Sequence, residues 1–280
     1  MLMKKERNIF MTTQSDSSTN IENIKYEYFQ QMKKIFLLAG LPRSGSTLLG
    51  TLLNQNPNIY VPYASSFVEL LWRNYSLWDD QPEENMGKKI QKIKIPFLKK
   101  LFQAYFSELT NKPIVIDKRR SWQTIGNIKM FKEIFGKEPK IICTVRNVEE
   151  IIASYKSLYI QNKKKWDTKF LTGNRFERDF YSLKYTWNSE FKNCLLLIEY
   201  NDLVKNTQKT INQIYDFIGQ PYYQHNLKNI VADETHKEVE KLYDLKGMFN
   251  IPKTIQKSNT NIDILTGEEY KEYINKTFWK

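Results

Sequence analysis

A glycine-containing segment near residue 40 carries the clearest chemical signal in the sequence. Gly40-Leu-Pro-Arg-Ser-Gly-Ser-Thr47 matches the phosphate-binding pattern G-x-x-x-x-G-K-[ST] at every fixed position except the lysine, which is replaced by Ser46. In such a loop the backbone N–H groups, here those of Arg43 to Thr47, converge on an anion at the N-terminus of the next helix. We therefore expect an anion-binding loop, rather than an ordinary turn between a strand and a helix.

The missing lysine changes which anion the loop favours. A nucleoside triphosphatase uses that lysine, together with Mg²⁺, to neutralise the phosphates of a triphosphate. Here Arg43 lies inside the loop, and its planar guanidinium can bind two anionic oxygens at once. A sulfuryl group carries less negative charge than a terminal phosphoryl group, so its transfer needs no metal. This favours a less charged donor, and a P-loop kinase or NTPase acting on a small nucleotide or metabolite stays open as the alternative.

A second arginine lies where it can reach the same ligand. Arg146 directly follows the apolar run Lys140–Val145, and Ser154 comes eight residues later, within the next helical segment. An arginine at the carboxyl end of a strand can contact a ligand bound in the crevice of an open α/β sheet. The spacing alone is weak evidence, but its position downstream of the loop makes a chance match improbable.

These segments resemble the sulfotransferases that use 3′-phosphoadenosine 5′-phosphosulfate (PAPS). Leu41–Leu49 resembles the family's 5′-phosphosulfate loop, the Arg146 and Ser154 pair resembles its 3′-phosphate motif, and Ile198–Val204 resembles its Tyr-Glu-Asp-Leu segment, whose tyrosine lies near the adenosine. The resemblance implies that the following residues bind the donor: Arg43, Ser44, Gly45, Ser46, Thr47, Arg146, Ser154 and Tyr200.

The resemblance covers about residues 34–279. The chain resembles a branch of bacterial sulfotransferases and, more distantly, the protein-tyrosine sulfotransferases. This resemblance implies a P-loop-NTPase-like sulfotransferase fold, PAPS as the sulfuryl donor, 3′,5′-bisphosphoadenosine (PAP) as the product, and no metal. Family members often place a basic loop near the C-terminus over the 3′-phosphate. Lys246-Gly247 and Lys253 are candidates for it, although solvated lysines are the favoured interpretation.

The transfer of a sulfuryl group to an acceptor hydroxyl, or less readily an amine, requires a cation for the leaving phosphate and a base for the acceptor. Arg43 and Lys118, which follows the second apolar run, are the candidate cations. Glu69, flanked by apolar residues that can raise a carboxyl pKa, is the candidate base, with a solvent-facing position on a helix as the alternative. We interpret His225 and His236 as surface residues.

The elements that must position these residues alternate along the chain. Apolar runs predict buried strands at 34–39, 113–117, 140–145 and 194–198, and apolar residues at helical spacing predict helices at 47–53, 125–135, 148–158 and 207–218. Continuously apolar strands separated by helices indicate a three-layer α/β fold, a parallel sheet with helices on both faces.

The remaining segments define the domain organisation. Residues 1–32 are polar and predict a flexible N-terminal tail, and residues 33–280 predict a single sulfotransferase domain with insertions near 80–112 and 160–192. Both insertions are rich in lysine, and Pro96 interrupts the first. We interpret them as solvated charged surfaces, with a lid over a polyanionic ligand as the alternative.

The net charge of +12 comes from 43 Lys and Arg residues against 31 Asp and Glu residues and suggests an anionic partner. Because 35 of the 43 are lysines, most of the excess is consistent with a solvated surface, and specific nucleic-acid binding is the open alternative rather than the expectation. We expect a small-molecule, glycan or peptide acceptor, and the oligomeric state stays open. The sequence has no apolar leader and no apolar segment of membrane-spanning length, which predicts a cytoplasmic protein. Cys143 and Cys194 do not form the pattern of a disulfide framework, so we expect them to be reduced.

Overall fold

The computed structural model describes residues 33–79, 87, 91–167, 176–231, 240, 241, 245–258, 260–273 and 276–280. The predicted tail, residues 1–32, lies outside the described residues, as does His236. Cys143 and Cys194 are both buried and free.

The sheet is parallel throughout the described residues. Its strands are β1 (Lys34–Gly40), β2 (Ile59–Tyr60), β3 (Ile114–Lys118), β4 (Ile141–Val145) and β5 (Leu195–Glu199). They are arranged in the order β2-β3-β1-β4-β5. The chain therefore fills one side of β1 before it crosses to the other side, and ligands of open α/β sheets bind at the carboxyl edge beside such a reversal.

Helices cover both faces of this sheet. The α-helices are α1 (Ser46–Leu53), α2 (Phe67–Asp79), α3 (Lys94–Leu109), α4 (Ile125–Phe135), α5 (Val148–Gln161), α6 (Glu177–Trp187), α7 (Tyr200–Lys205), α8 (Thr207–Ile218) and α9 (Gly267–Tyr273). The predicted three-layer α/β architecture is confirmed. None of the helices in the described part of the chain is both long and apolar enough to cross a membrane.

The alternation of side chains along β1 produces two separate cores. Ile35, Leu37 and Ala39 pack against α2 to α6, whereas Phe36 and Leu38 pack on the opposite face against α1 and α8. Because β1 is buried on both faces, its sequence is continuously apolar. Its carboxyl end is held rigidly between the two layers, and this is where the glycine-containing loop begins.

The two lysine-rich segments contain more regular structure than the sequence predicted. Helix α3 occupies 94–109 and helix α6 occupies 177–187, within the proposed insertions. Pro96 lies in the first turn of α3, where its missing N–H costs no helical hydrogen bond, so it does not interrupt the helix. Residues 80–86, 88–90 and 168–175 are outside the described part.

Candidate active site

The loop between β1 and α1 depends on glycine at two positions. Gly40 has φ +117°, and a Cβ there would lie 2.2 Å from the carbonyl oxygen of Thr144 on β4. Gly45 has φ +92° and immediately precedes α1, and a Cβ there would lie 2.9 Å from the ring of Tyr200. The first bond of α1 joins Leu49 N to Gly45 O, so the N–H groups at the start of the helix have no acceptor within it. They face the carboxyl edge of the sheet, as an anion-binding loop requires.

Ser44 secures the loop from behind. Its side chain is fully buried, and its hydroxyl contacts the carbonyl oxygen of Leu41 and, at 3.0 Å and 2.7 Å, the carbonyl and hydroxyl oxygens of Thr144. The sequence assigned Ser44 to the donor site. The structure directs its hydroxyl into the protein, so the side chain of Ser44 supports the loop and does not face a ligand.

Arg43 extends from the loop toward α5. Its backbone is left-handed, with φ +58°, and its Nε donates to the Oγ of Ser154 at 3.1 Å. A terminal nitrogen of its guanidinium also donates to the carbonyl of Met248. Burial lowers the pKa of Arg43, and the positive charge of Arg146 lowers it further. The loop and the second motif therefore meet in one site.

Arg146 is the buried partner of this site. Its Nε donates to Glu150 at 2.7 Å, and one terminal nitrogen donates to the backbone carbonyl of Arg43 at 3.3 Å. Its guanidinium carbon lies 4.3 Å from the ring centroid of Tyr200, within the range of a cation–π contact. Arg43, Arg146, Ser154 and Tyr200 are thus brought together at the carboxyl ends of β1, β4 and β5.

Lys118 reaches the loop from the other side of β1. Its Nζ donates to the Oγ1 of Thr47 at 3.0 Å and lies 4.9 Å from the ring centroid of Tyr63. Burial, and then the charge of Arg120, lower its pKa to about 7. Within the described residues, neither Lys118 nor Arg43 forms an ion pair with a carboxylate. Two cations without carboxylate partners beside one loop favour an anionic ligand.

A cavity of about 280 Å³ opens beside Lys118 and Thr47. It runs along α1, past Thr51 and Asn54, and is bounded on the other side by the segment from Tyr60 to Tyr63. Asn54 fastens that segment to α1, because its side chain exchanges two hydrogen bonds of 2.7 Å with the backbone of Val61. The cavity is therefore a stable feature next to the loop, on the side away from Arg146.

Glu69, the candidate base, lies elsewhere. Its carboxylate accepts from the Nε of Arg119 at 2.7 Å and lines a second cleft with Trp72 and Asn127. Glu69 is on α2, which packs on one face of the sheet, and Asp117 points to that face because it accepts from the core residue Trp122. Lys118 points to the opposite face, where it donates to Thr47 of α1. The structure therefore does not bring Glu69 into the cavity that contains Lys118 and Thr47.

Residues 35–224 match the sequence model of the Sulfotransferase family. This match extends from β1 to the segment after α8 and includes every residue assigned to the donor site. The chain belongs to the sulfotransferase family. The family resemblance carried by the loop and by the Arg146 motif is thereby confirmed.

Individual relatives of this sulfotransferase are distant. Sulfotransferase 6B1 of Danio rerio is 25% identical over 117 residues, which cover 36% of this chain and 37% of that protein, little more than a third of its length. The sulfotransferase domain of the olefin synthase from Synechococcus PCC 7002 has 21% identity and a TM-score of 0.49, covering 82% of this chain and 91% of that one. Mouse sulfotransferase SULT7A1 complexed with PAP has 14% identity and a TM-score of 0.46, covering 86% and 82%.

The interpretation of His225 as a surface residue is wrong. His225 is buried, with 3% of its surface exposed, because it packs between Tyr215 and Tyr223. Its Nε2 lies 3.0 Å from the hydroxyl of Tyr215, and burial lowers its pKa. Apolar and aromatic neighbours at 211–223 are the sequence signal that it joins a core. Its contacts lie outside the loop region of this sulfotransferase.

Sequence reasoning missed several residues that contact the two arginines. Glu150 comes only four residues after Arg146, which lies just before α5, and this nearness in the sequence is a signal that could have been used. Ser258 and Thr260 accept from Arg146 at 3.0 and 2.7 Å, more than 110 residues along the chain, and no local pattern announces them. The segment near Lys246 does reach the site, because the carbonyl of Met248 accepts from Arg43. The contacts recorded for Lys246 in the described part of the chain are made by its backbone, with Asn162.

Proposed function

We propose that this protein transfers a sulfuryl group from PAPS to the hydroxyl group of an acceptor. The observation that carries the proposal is the convergence of Arg43 and Arg146 on one anion-binding loop, since Arg146 Nη1 donates to the Arg43 carbonyl at 3.3 Å. Membership of the sulfotransferase family supports it, and so does the serine at position 46, where a P-loop NTPase has lysine.

The described residues fit a bisphosphorylated nucleotide. The N–H groups at the start of α1, together with Arg43, suit a 5′-phosphosulfate, and Arg146 with Ser154 suits a second phosphate. Tyr200 supplies an aromatic face beside Arg146. PAPS, when bound, contributes a sulfuryl group attached to a phosphate that can leave.

In this proposal Arg43 and Lys118 have different roles in the transfer. Arg43 lies in the loop before α1, extends toward Ser154 on α5, and stabilises negative charge that develops on the leaving phosphate. Lys118 approaches from β3, bonded to Thr47, and with a pKa of about 7 its Nζ can hold a proton or release one at neutral pH. No metal is assigned a role, and no group of three metal-ligating side chains occurs in the described part of the chain.

The acceptor is proposed to bind in the cavity beside Lys118. This cavity is lined by Thr47 of the loop and by Lys118 of β3, and its volume of about 280 Å³ suits a small molecule better than a glycan or peptide chain. Glu69 takes no part in the chemistry in this proposal, because its carboxylate pairs with Arg119 in the other cleft.

Calorimetric titration with PAP and with ATP plus Mg²⁺ tests the donor assignment. We expect PAP to bind and ATP with Mg²⁺ to bind more weakly, and the reverse order would support the kinase or NTPase alternative. An acceptor screen with labelled PAPS then tests the transfer itself. Tight, salt-dependent nucleic-acid binding that survives Arg43→Ala would instead support a nucleic-acid-binding protein.

A further inference from the structure

Glu150 forms a buried ion pair with Arg146 on the first turn of α5. Its Oε2 accepts from the Nε of Arg146 at 2.7 Å, and the side chains are 12% and 3% exposed respectively. Glu149, the neighbouring carboxylate, is half-buried and forms no ion pair within the described residues. The two adjacent glutamates therefore have different environments, and of the two only Glu150 forms an ion pair with Arg146.

The hydrogen bonds of Arg146 divide into one charged anchor and several neutral contacts. Its Nε is held by the carboxylate of Glu150, whereas its terminal nitrogens donate to the Arg43 carbonyl at 3.3 Å and to the hydroxyls of Ser258 and Thr260 at 3.0 and 2.7 Å. A charged acceptor holds its donor more strongly than neutral acceptors do. The terminal nitrogens are accordingly the ones that an incoming anion can engage, and Glu150 fixes where they point.

The ring of Tyr200 restricts the remaining freedom of the guanidinium. It lies 4.3 Å from the guanidinium carbon, and its own hydroxyl accepts from the backbone N–H of Ser258 at 3.0 Å. Glu150 and Tyr200 thus hold the arginine from its edge and from its face. An arginine held in this way loses little rotamer entropy when it binds an anion.

The charge of Glu150 and its hydrogen bond to Arg146 have opposite effects on anion binding. A carboxylate 2.7 Å from Arg146 offsets the positive charge that attracts a phosphate, so charge alone would make Glu150 unfavourable for binding. Its hydrogen bond has the opposite effect, since it orients the guanidinium before the ligand arrives. Substitutions that remove only the charge, or that only shorten the side chain, can separate these two effects.

We propose that Glu150 is a positioning residue that aims Arg146 at the 3′-phosphate of the donor and so establishes the preference for a 3′-phosphorylated nucleotide. The inference rests on the proposed function, because it assumes that the donor is PAPS. It adds a residue that acts only through Arg146 and predicts a selectivity rather than a general affinity.

The experiment compares calorimetric affinities for PAP and for 5′-AMP, which lacks the 3′-phosphate. Glu150→Gln keeps an oxygen that can accept from Arg146 and removes the charge, so we expect PAP affinity equal to or above that of the unmodified protein. Glu150→Asp keeps the charge and withdraws the carboxylate by one methylene, so we expect about a tenfold loss of PAP affinity with 5′-AMP affinity unchanged. Glu149→Gln is the matched control and should change neither.

Each other outcome is informative. A loss of PAP affinity in Glu150→Gln with none in Glu150→Asp would show that the charge of Glu150 and not its position matters, and a parallel loss of PAP and 5′-AMP binding would show a general structural effect; either overturns the inference. If the unmodified protein binds PAP no better than 5′-AMP, the proposed function fails at the outset. If it prefers PAP and both Glu150 variants keep that preference, only the positioning role fails. If Glu150→Asp does not fold, Glu150→Met takes its place: it is uncharged and unbranched like Glu150→Gln but has no oxygen to accept from Arg146, so it should lose PAP affinity relative to Glu150→Gln.

Discussion

The Nε of Arg43 donates a hydrogen bond to the Oγ of Ser154 across 3.1 Å, between residues 111 positions apart in the chain. This bond joins the glycine-containing loop after β1 to the middle of α5. The two motifs that carry the family resemblance are therefore one structure. A change at either residue should be felt at the other, which makes the pair a suitable starting point for mutagenesis.

Replacing either arginine should weaken PAP binding. Arg43→Ala removes the guanidinium of the loop, and Arg146→Ala removes the one held by Glu150. Loss of a charged hydrogen bond costs about 1.5–3 kcal/mol, so we expect PAP affinity to fall at least tenfold to hundredfold in each variant by calorimetry. Arg73→Ala, an exposed arginine on α2, changes the net charge equally and should have no effect. Normal PAP binding by both site variants would contradict the donor site.

PAP binding should be accompanied by proton uptake at Lys118. Its pKa of about 7 in the free protein results first from burial and then from Arg120. An anion beside Lys118 favours the ammonium form and raises that pKa, so the amine takes up a proton on binding, and PAP affinity falls as the pH rises above 7.

Calorimetry at pH 8 in two buffers with different ionisation enthalpies measures this uptake directly. The phosphates of the ligand titrate near pH 6 and contribute little there. Lys118→Met should abolish the difference between the buffers, while Lys129→Met, at an exposed position on α4, should preserve it. Equal apparent enthalpies in both buffers for the unmodified protein would argue against a lysine with a lowered pKa in the site.

The main elements of the fold could be predicted because their signals are local. The strand at 34–40 is apolar at nearly every position since both of its faces are buried, and the helices at 125–135 and 207–218 begin and end at the predicted residues. Strand β2 has only Ile59 and Tyr60, which is too short for any periodic pattern. It forms because it pairs with β3, and the carbonyl of the preceding Asn58 accepts from the N–H of Ile114; both contacts are made across more than fifty residues.

The arrangement of the candidate site could be predicted where a motif fixes the backbone, and less so where side chains meet at long range. Arg43 and Arg146 lie in the loop region because each follows a buried strand of the same sheet. The inward orientation of Ser44 depends on Thr144, a hundred residues away, and no spacing in the sequence reveals it. The position of Glu69 depends likewise on its tertiary partner Arg119.

The free energy of unfolding should decrease as the pH falls below about 6.5, through His225. Asn56 donates to the hydroxyl of Tyr215, which leaves the hydroxyl proton of Tyr215 available to an unprotonated Nε2 of His225. Because burial lowers the pKa of His225 in the folded protein, the unfolded chain binds a proton first, and stability is lost as the pH falls until the folded form titrates.

Urea denaturation at pH 7.5 and at lower pH measures this effect. The slope due to one group cannot exceed about 1.4 kcal/mol per pH unit. Other groups also titrate in this range, so the comparison is with His225→Gln, which does not titrate at this position and should show a shallower pH dependence. Identical slopes in the two proteins would show that His225 does not titrate differently on folding.

Glu69→Gln should leave sulfuryl transfer nearly unchanged once an acceptor is known. A general base contributes about 10²- to 10⁴-fold to the rate, whereas the partly exposed ion pair of Glu69 with Arg119 contributes about 0–1 kcal/mol to stability. The carboxylate lines a cleft with Trp72 and Asn127 rather than the cavity of Lys118. We therefore expect kcat to change far less than the hundredfold or more that loss of a general base would cause. Arg119→Gln breaks the same ion pair from its other side and should give the same small change. A loss of hundredfold or more in kcat for Glu69→Gln alone would identify Glu69 as the base and would require the cleft to open toward Lys118 during turnover.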